Sequence, residues 1–235
     1  MSTLQAIALD AGVGSEHFDR LALGYDLANA LSFGIADLAR RRAVAMLPRA
    51  QLRRIAVFMS GTGLDVRPIL QLFPEVERVT CYDASTAMNR IALGKWGQDP
   101  RIHVRHADVL RELLPAESHD AVVVNFGWKT LDADDLRRLA NTMVHVLEPG
   151  GSFCGCDFGL SGARWMNALV RAHTSRVIPA MVGAIGGDAP AHAMLWQHLS
   201  RFDDGRLSDV LSPCFNLRTE RLMGGLVRSF AGRKR

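Results

Sequence analysis

The chain has 235 residues, 48% of them hydrophobic and 22% charged, with a mean hydropathy of +0.05. That is enough chain for one full-sized core and too apolar for a disordered segment. The net charge is +4, carried largely by Arg40-Arg41-Arg42, Arg53-Arg54 and Arg233-Lys234-Arg235, and aromatics make up only 7%. These runs read as solvated faces that fall short of a nucleic-acid footprint, although a basic rim suits an anionic membrane surface.

The first stretch, MSTLQAIALDAG, has no basic n-region and no long apolar core, so no signal peptide is expected there, and no apolar run reaches membrane-spanning length. Residues up to Gly14 read as a loose arm. From Glu16 the pattern turns helical, with Phe18, Leu21, Leu23, Tyr25, Leu27 and Leu31 as its apolar members and Gly34 as a break. Tyr25, Asp26 and Asn29 read either as packing and surface residues or as polar groups of a lid that point into a pocket.

The segment Ile55 to Gly63, IAVFMSGTG, is an apolar strand ending in the Gly turn Ser60-Gly61-Thr62-Gly63, and a helix from Leu64 to Phe73 is expected next. A strand, a Gly turn and a helix start bring backbone N–H groups close to a nucleotide-like ligand. Twenty residues after Gly63, a second strand from Val79 to Tyr82 ends in Asp83, the place for an acid that bonds a ribose diol. A helix from Ser85 to Lys95, a short strand from Ile102 to His106 followed by Asp108, and a strand from Asp120 to Asn125 come next. The last leads into Phe126-Gly127-Trp128-Lys129-Thr130. A helix from Asp132 to Leu147 is stopped by Pro149-Gly150-Gly151, and Ser152 to Asp157 is a further strand.

This alternation predicts an α/β fold with a doubly wound, Rossmann-like and mainly parallel sheet. Ligands of such sheets lie beyond the carboxyl ends of the strands. Ser60 to Gly63, Asp83, Asp108, Asn125 to Lys129 and Asp157 all fall there. Residues from Gly159 to about Ala193 read as inserted helices forming a cover. A last helix is expected from Arg201 to Leu211. Two closing strands, Phe215 to Met223 and Leu226 to Phe230, join at Gly224-Gly225 as an antiparallel hairpin. Of the four cysteines, Cys154 and Cys156 share one strand face, and none has zinc spacing. Reduced thiols suit the cytoplasm. The histidines do not repeat at ligand spacing and read as surface or packing residues; no metal site is expected. Trp128 and Trp165 read as core packing or as the lining of an apolar pocket.

Four segments carry a resemblance to a known family. FDRLALGYDLANALSFG, VNFGWKTLD, VIPAMVGAIGGDAPAHAMLWQHLSRF and MGGLVRSFAGRK, with the PGG turn, are similar to class I S-adenosylmethionine-dependent methyltransferases. Within them they resemble the ubiquinone/menaquinone C-methyltransferases (UbiE), from about Phe18 to Lys234. The resemblance implies S-adenosyl-L-methionine as cofactor, held by Ser60, Gly61, Thr62, Gly63, Asp83, Met88, Asp108, Asn125, Phe126 and Gly127. Tyr25, Asp26 and Asn29 would close over the methyl-transfer site, and Lys129 occupies the usual arginine position. A single methyltransferase-like domain is implied, with a lid over 15–50, a cofactor-binding core over 51–158, a helical insert over 159–200 and a closing helix and hairpin over 201–235.

The family motif D-x-A-G-G-T-G-D is altered here. Val57 replaces its first acid, Met59 and Ser60 replace the Ala-Gly pair, and Asp65 comes one place late. Losing a charge-assisted hydrogen bond weakens binding by about 1.5–3 kcal/mol, which is survivable. Lys129-Thr130 replaces an Arg-Asn pair, exchanging a planar fork for a point charge.

The expected activity is C-methylation of a quinol- or phenol-type ring in quinone or secondary-metabolite biosynthesis. Lys129 would stabilise the ring oxygen, and Tyr25, Asp26 or Asn29 would orient a base or water. The acceptor would be a small-molecule or prenylated aromatic, with no nucleic-acid partner. Peripheral membrane contact and a homodimer are compatible with the sequence, as is a cytoplasmic or membrane-peripheral location. Other readings are lipid-headgroup N-methylation and a non-methylating or scaffolding role for the same fold.

Overall fold

The computed structural model describes residues 15–49 and 52–235; the expected loose arm before Ser15 lies outside them. The first helices are α1 (Ser15–Ala30) and α2 (Ile35–Ala45), separated at Gly34, whose φ of +79° suits glycine. The alternating core runs β1 (Arg54–Phe58), α3 (Val66–Leu72), β2 (Arg78–Asp83), α4 (Thr86–Trp96), β3 (Ile102–His106), β4 (His119–Asn125), α5 (Ala133–Val146) and β5 (Leu147–Phe158). The cover follows as α6 (Arg164–Ala172), a wide turn at His173–Val177, α7 (Ile178–Ala184), α8 (Ala189–Ala193) and α9 (Leu195–Arg201). Helix α10 (Asp204–Leu211) and strands β6 (Phe215–Leu222) and β7 (Val227–Lys234) close the chain.

The seven strands form one sheet in the order β3-β2-β1-β4-β5-β7-β6. Strands β1 to β5 are parallel, and β7 pairs antiparallel with both β5 and β6, which is the expected doubly wound sheet with a closing hairpin. Adjacent β1 and β4 mark the point where the winding reverses, and a crevice opens there.

Both sheet faces are covered. Ala56 and Phe58 face one side with Val122 and Val124, packed under Leu139 and Met143 of α5 and Leu207 and Leu211 of α10. Ile55 and Val57 face the other with Val123 and Cys154, packed under Val44 of α2 and Val66 and Ile69 of α3. The near-continuous apolar strands follow from burial on both faces.

Several boundaries differ from expectation. The helix after the Gly turn starts at Val66, because residues up to Asp65 complete the turn. Helix α5 starts one residue after Asp132, whose carboxylate caps it by accepting from the N–H groups of Asp134 and Asp135. Strand β5 begins at Leu147, ahead of the PGG turn. His119 pairs with Leu147 but Ala121 with Ser152, so Pro149-Gly150-Gly151 is an irregularity within the strand, with Gly150 at φ +74°. The expected helix from Arg201 is interrupted at Phe202, and Asp203 caps a new one.

His119, buried at the start of β4, is pushed down to about 4 by burial, with Arg54 adding to the effect. The folded protein therefore holds it neutral while the unfolded chain protonates near pH 6.5. Stability is intact above that value and falls as the pH drops toward about 4, by about 3 kcal/mol for this group. Urea melts of the wild type and His119→Gln across this range should show a shallower acid loss in the variant.

Candidate active site

The Gly turn after β1 is built from an unusual backbone. Met59, Gly61 and Gly63 all have positive φ, at 51°, 53° and 78°. The strain at Met59 requires support from the surroundings. Asp83, at the end of β2, supplies it: its carboxylate accepts from Gly61 N–H at 2.7 Å and from Ser85 N–H at 2.8 Å. Helix α4 grips the other side. Trp96 Nε1 donates to the Gly63 carbonyl at 2.8 Å, and Lys95 Nζ donates to the Thr62 carbonyl at 3.1 Å. A Cβ at Gly63 would lie 2.9 Å from the Trp96 ring, so only glycine fits.

Helix α1 closes over this turn. Asp26 accepts from Thr62 Oγ1 at 2.5 Å and pairs with Lys95 at 2.5 Å. The Tyr25 ring lies over Gly61, 3.6 Å from where a Cβ would be. Burial raises the Tyr25 pKa, opposed by the positive charge of Arg40, so its phenol stays protonated. Asn29 is fully engaged: Nδ2 donates to the Tyr25 carbonyl at 2.9 Å and Oδ1 accepts from Arg40 Nη2 at 2.7 Å.

Arg40 is a correction. Its run reads as a solvated face, yet Arg40 is 2% exposed. It lies 3.4 Å from Asp65 and 4.6 Å over the Phe126 ring. Asp65 also accepts from Asn125 Nδ2 at 2.7 Å. Burial raises the Asp65 pKa against the pull of Arg40 and Asn125. Burial also opposes the Arg40 charge, but Asp65 together with Tyr25, Cys156 and Asp37 outweighs it and holds the guanidinium above its ordinary value. The late acid of the altered motif thus sits in a buried pair, while Val57 is packed in the apolar core. The signal for Arg40 was its spacing: Ala36, Ala39, Arg40, Ala43 and Val44 form one buried helical face.

Lys129 departs from expectation in the same way. Its ammonium donates to Asp157 Oδ1 at 2.9 Å and to the Phe126 carbonyl at 2.5 Å, and its side chain is 7% exposed against a fully buried Asp157. It is a neutralised pair with one N–H left over, not a free cation. Trp128 belongs to the core, donating to the Val124 carbonyl at 2.8 Å, whereas Trp165 lines the cavity.

A cavity of about 930 Å³ runs through the site. Of the expected cofactor residues, Gly61, Asp83, Met88, Asp108, Asn125, Phe126 and Gly127 line it. Ser60, Thr62 and Gly63 do not, and support the turn from behind. Tyr25, Asn29 and Lys129 line it; Asp26 does not. The residues suit a nucleoside with an attached amino acid. Gly61 presents bare backbone. Asp83 keeps lone pairs beyond those used by Gly61 and Ser85, and Met88 and Val109 give an apolar slot ending at Asp108. The histidines read as surface or packing residues, yet His17, His192 and His198 line the same cavity.

Residues 55–151 match the model of a methyltransferase domain family. The chain is 29% identical over 222 residues to a demethylmenaquinone methyltransferase of Thermus thermophilus, covering 92% of this chain and 98% of that one. It is 26% identical to a ubiquinone/menaquinone biosynthesis C-methyltransferase UbiE of Caulobacter vibrioides, covering 85% and 81%. Among solved structures, it resembles a possible histamine N-methyltransferase from Thermotoga maritima, with a TM-score of 0.64 at 16% identity over 94% and 99% of the two chains. It also resembles human N-acetylserotonin methyltransferase in complex with S-adenosylmethionine, with a TM-score of 0.63 at 14% identity. That match covers 92% of this chain and 55% of that one.

Removing one partner of the Arg40–Asp65 pair leaves a buried charge alone. Arg40→Met and Asp65→Leu should each destabilise the protein by about 3–5 kcal/mol, and the double variant by much less than the sum. Denaturant melts of the four proteins give the coupling.

Proposed function

Because the chain is a UbiE-like class I S-adenosylmethionine-dependent methyltransferase, we propose that it methylates a ring carbon of a quinol- or phenol-type aromatic bearing an apolar tail. The observation that carries this reading is the shape of the cavity. It runs from Asp83 past Phe126 to a rim where Phe33 is 83%, Trp165 64% and Leu169 61% exposed. Three segments distant in sequence bring large apolar side chains to one mouth: the α1–α2 turn, α6 and the hairpin turn at Met223. Isolated exposed apolar residues are ordinary; a contiguous set at a cavity mouth suits a hydrophobic ligand. The quinone-methylating relatives support the same acceptor class.

Bound S-adenosylmethionine supplies an activated methyl group, so the chain's share is positioning and the handling of charge on the acceptor. Asp83 and Gly61 would hold the ribose end and Met88 and Asp108 the adenine, with Tyr25 closing above. Phe126, at φ +61°, and Gly127 border the acceptor, and the Lys129–Asp157 pair sets the polarity there through its remaining N–H. A Cβ at Gly127 would lie 2.6 Å from Met59 Cε, so glycine there lets the altered motif's bulkier residue fit. Arg164 and Arg171 flank the exposed side of α6, pair with no carboxylate among the described residues, and suit an anionic lipid surface from which a tailed acceptor enters. No helix among the described residues is long and apolar enough to cross a membrane.

The test is transfer of a labelled methyl group to anaerobically reduced demethylmenaquinone in vesicles, with product analysis. A new carbon–methyl bond on the ring is expected; an oxygen-methylated product, or no transfer by protein that binds S-adenosylhomocysteine, overturns the reading. Trp165→Ser should raise KM for the tailed quinol roughly tenfold with kcat little changed, and leave KM for a tail-less analogue almost unmoved.

A further inference from the structure

The acceptor cavity has a histidine wall that the groups described so far do not use. His17 of α1, His192 of α8 and His198 of α9 all line it. The His17 and His198 rings are 6.0 Å apart. His192 is nearly fully buried, and its Nδ1 lies 2.9 Å from the Asp188 carbonyl oxygen. A carbonyl oxygen only accepts, so in the neutral ring Nδ1 carries the hydrogen and Nε2 is a bare lone pair. That Nε2 is buried and has no hydrogen-bond partner, and the same is true of His198 Nε2.

A buried acceptor left without a donor is costly, so the bare His192 Nε2 on the cavity wall calls for a ligand that donates. Burial favours neutral rings at His198 and His17. His198 is pushed down to about 4 by burial, with the positive charges of Lys129, His17 and Arg201 acting in the same direction. His17 is lowered by burial and by Arg20, against the opposing charge of Asp188. Helix α9, which carries His198, packs on Trp128–Thr130, next to Phe126 and Gly127. The packing makes room for His192: Gly24 of α1 faces it, and a Cβ there would lie 2.9 Å from His192 Cε1 and 2.5 Å from Val182. Among the described residues, no three His, Cys, Asp or Glu side chains gather in a way that could hold a metal ion.

We propose that His192 Nε2 takes the proton of an acceptor hydroxyl, with His198 Nε2 as a second unpartnered ring nitrogen on the same wall. This inference rests on the reading of the acceptor as a phenol or quinol. The hydroxyl O–H bond breaks, its electron pair stays on oxygen, and a new N–H bond turns the imidazole into an imidazolium. The electron-rich ring is then the nucleophile; once its carbon carries the methyl group, the ring C–H bond breaks, that proton passes to water and the electron pair restores the aromatic ring, while the imidazolium returns its proton to the oxygen. The wall also selects: an acceptor without a hydroxyl leaves both nitrogens unpaired.

The test has two readouts. Protein labelled with 15N-histidine and saturated with S-adenosylhomocysteine is titrated with phenol, and the imidazole resonances are followed. The His192 Nε2 resonance should start at a bare-nitrogen position and move on phenol binding. Separately, His192→Gln should lose roughly a hundredfold or more in kcat on the quinol with KM for S-adenosylmethionine unchanged, and His198→Asn should lose less. An Nε2 that does not respond to phenol, that is protonated from the start, or a His192→Gln variant within threefold of wild type overturns the inference and leaves C-methylation intact. A phenol-responsive Nε2 in a wild type that methylates no quinol overturns the acceptor reading instead and supports the histidine wall. The resonance titration uses wild-type protein, so a poorly folding variant does not block it.

Discussion

Everything in the site depends on a strained turn being held in place by one carboxylate. Between Met59 and Gly63 the backbone takes positive φ three times, once at a residue with a side chain. Left alone such a segment would relax. Asp83 prevents this because β1 and β2 are paired in register, Phe58 opposite Tyr82, which sets Asp83 beside the turn. Its carboxylate accepts the Gly61 N–H, and a backbone bond from Ser60 N–H to the Tyr82 carbonyl adds a second tie. Burial raises the Asp83 pKa while the Ser85 and Gly61 N–H groups oppose the rise. The acid that orders the turn is also the acid that faces the cavity.

Helices α1 and α2 are tied to that turn and its neighbours by polar contacts. Asp26 ties α1 to Thr62 and Lys95, and Arg40 links α2 to Asp65 while holding Asn29 of α1. Farther out the fastening weakens. Helix α6 has no fully buried residue and Trp165 and Leu169 stand largely exposed. Local opening is easiest where few apolar contacts resist it. The rim at α6 is therefore the part of the cavity wall that opens most easily, while α1 is clasped to the Gly turn.

The sheet was legible because its strands carry near-continuous β-branched runs and its helices carry caps such as Ser85 and Asp132. That Asp83, Asp108 and Asn125 meet at one cavity was legible for a related reason: they lie at or just beyond the ends of successive strands, and strand ends converge in a parallel sheet. What stayed hidden depends on contacts between distant residues. The PGG turn reads as a stop, yet pairing with β4 carries it into β5 as an irregularity. Arg40 reads as one of three surface arginines until Asp65, which approaches from another element, explains its burial. Lys129 reads as an open cation, and only the return of β5 with Asp157 neutralises it. His192 and His198 show no motif spacing, since the cover helices that carry them meet the cavity through tertiary packing alone.

The most direct measurement is calorimetric titration of the purified full chain with S-adenosylmethionine and S-adenosylhomocysteine, with the Asp83→Ala variant as comparison. The turn held by Asp83 predicts saturable wild-type binding of both, with a Kd in the micromolar range, and a loss of roughly a hundredfold or more in the variant. A folded wild type that binds neither at millimolar ligand, or a variant that binds as tightly as the wild type, would contradict it.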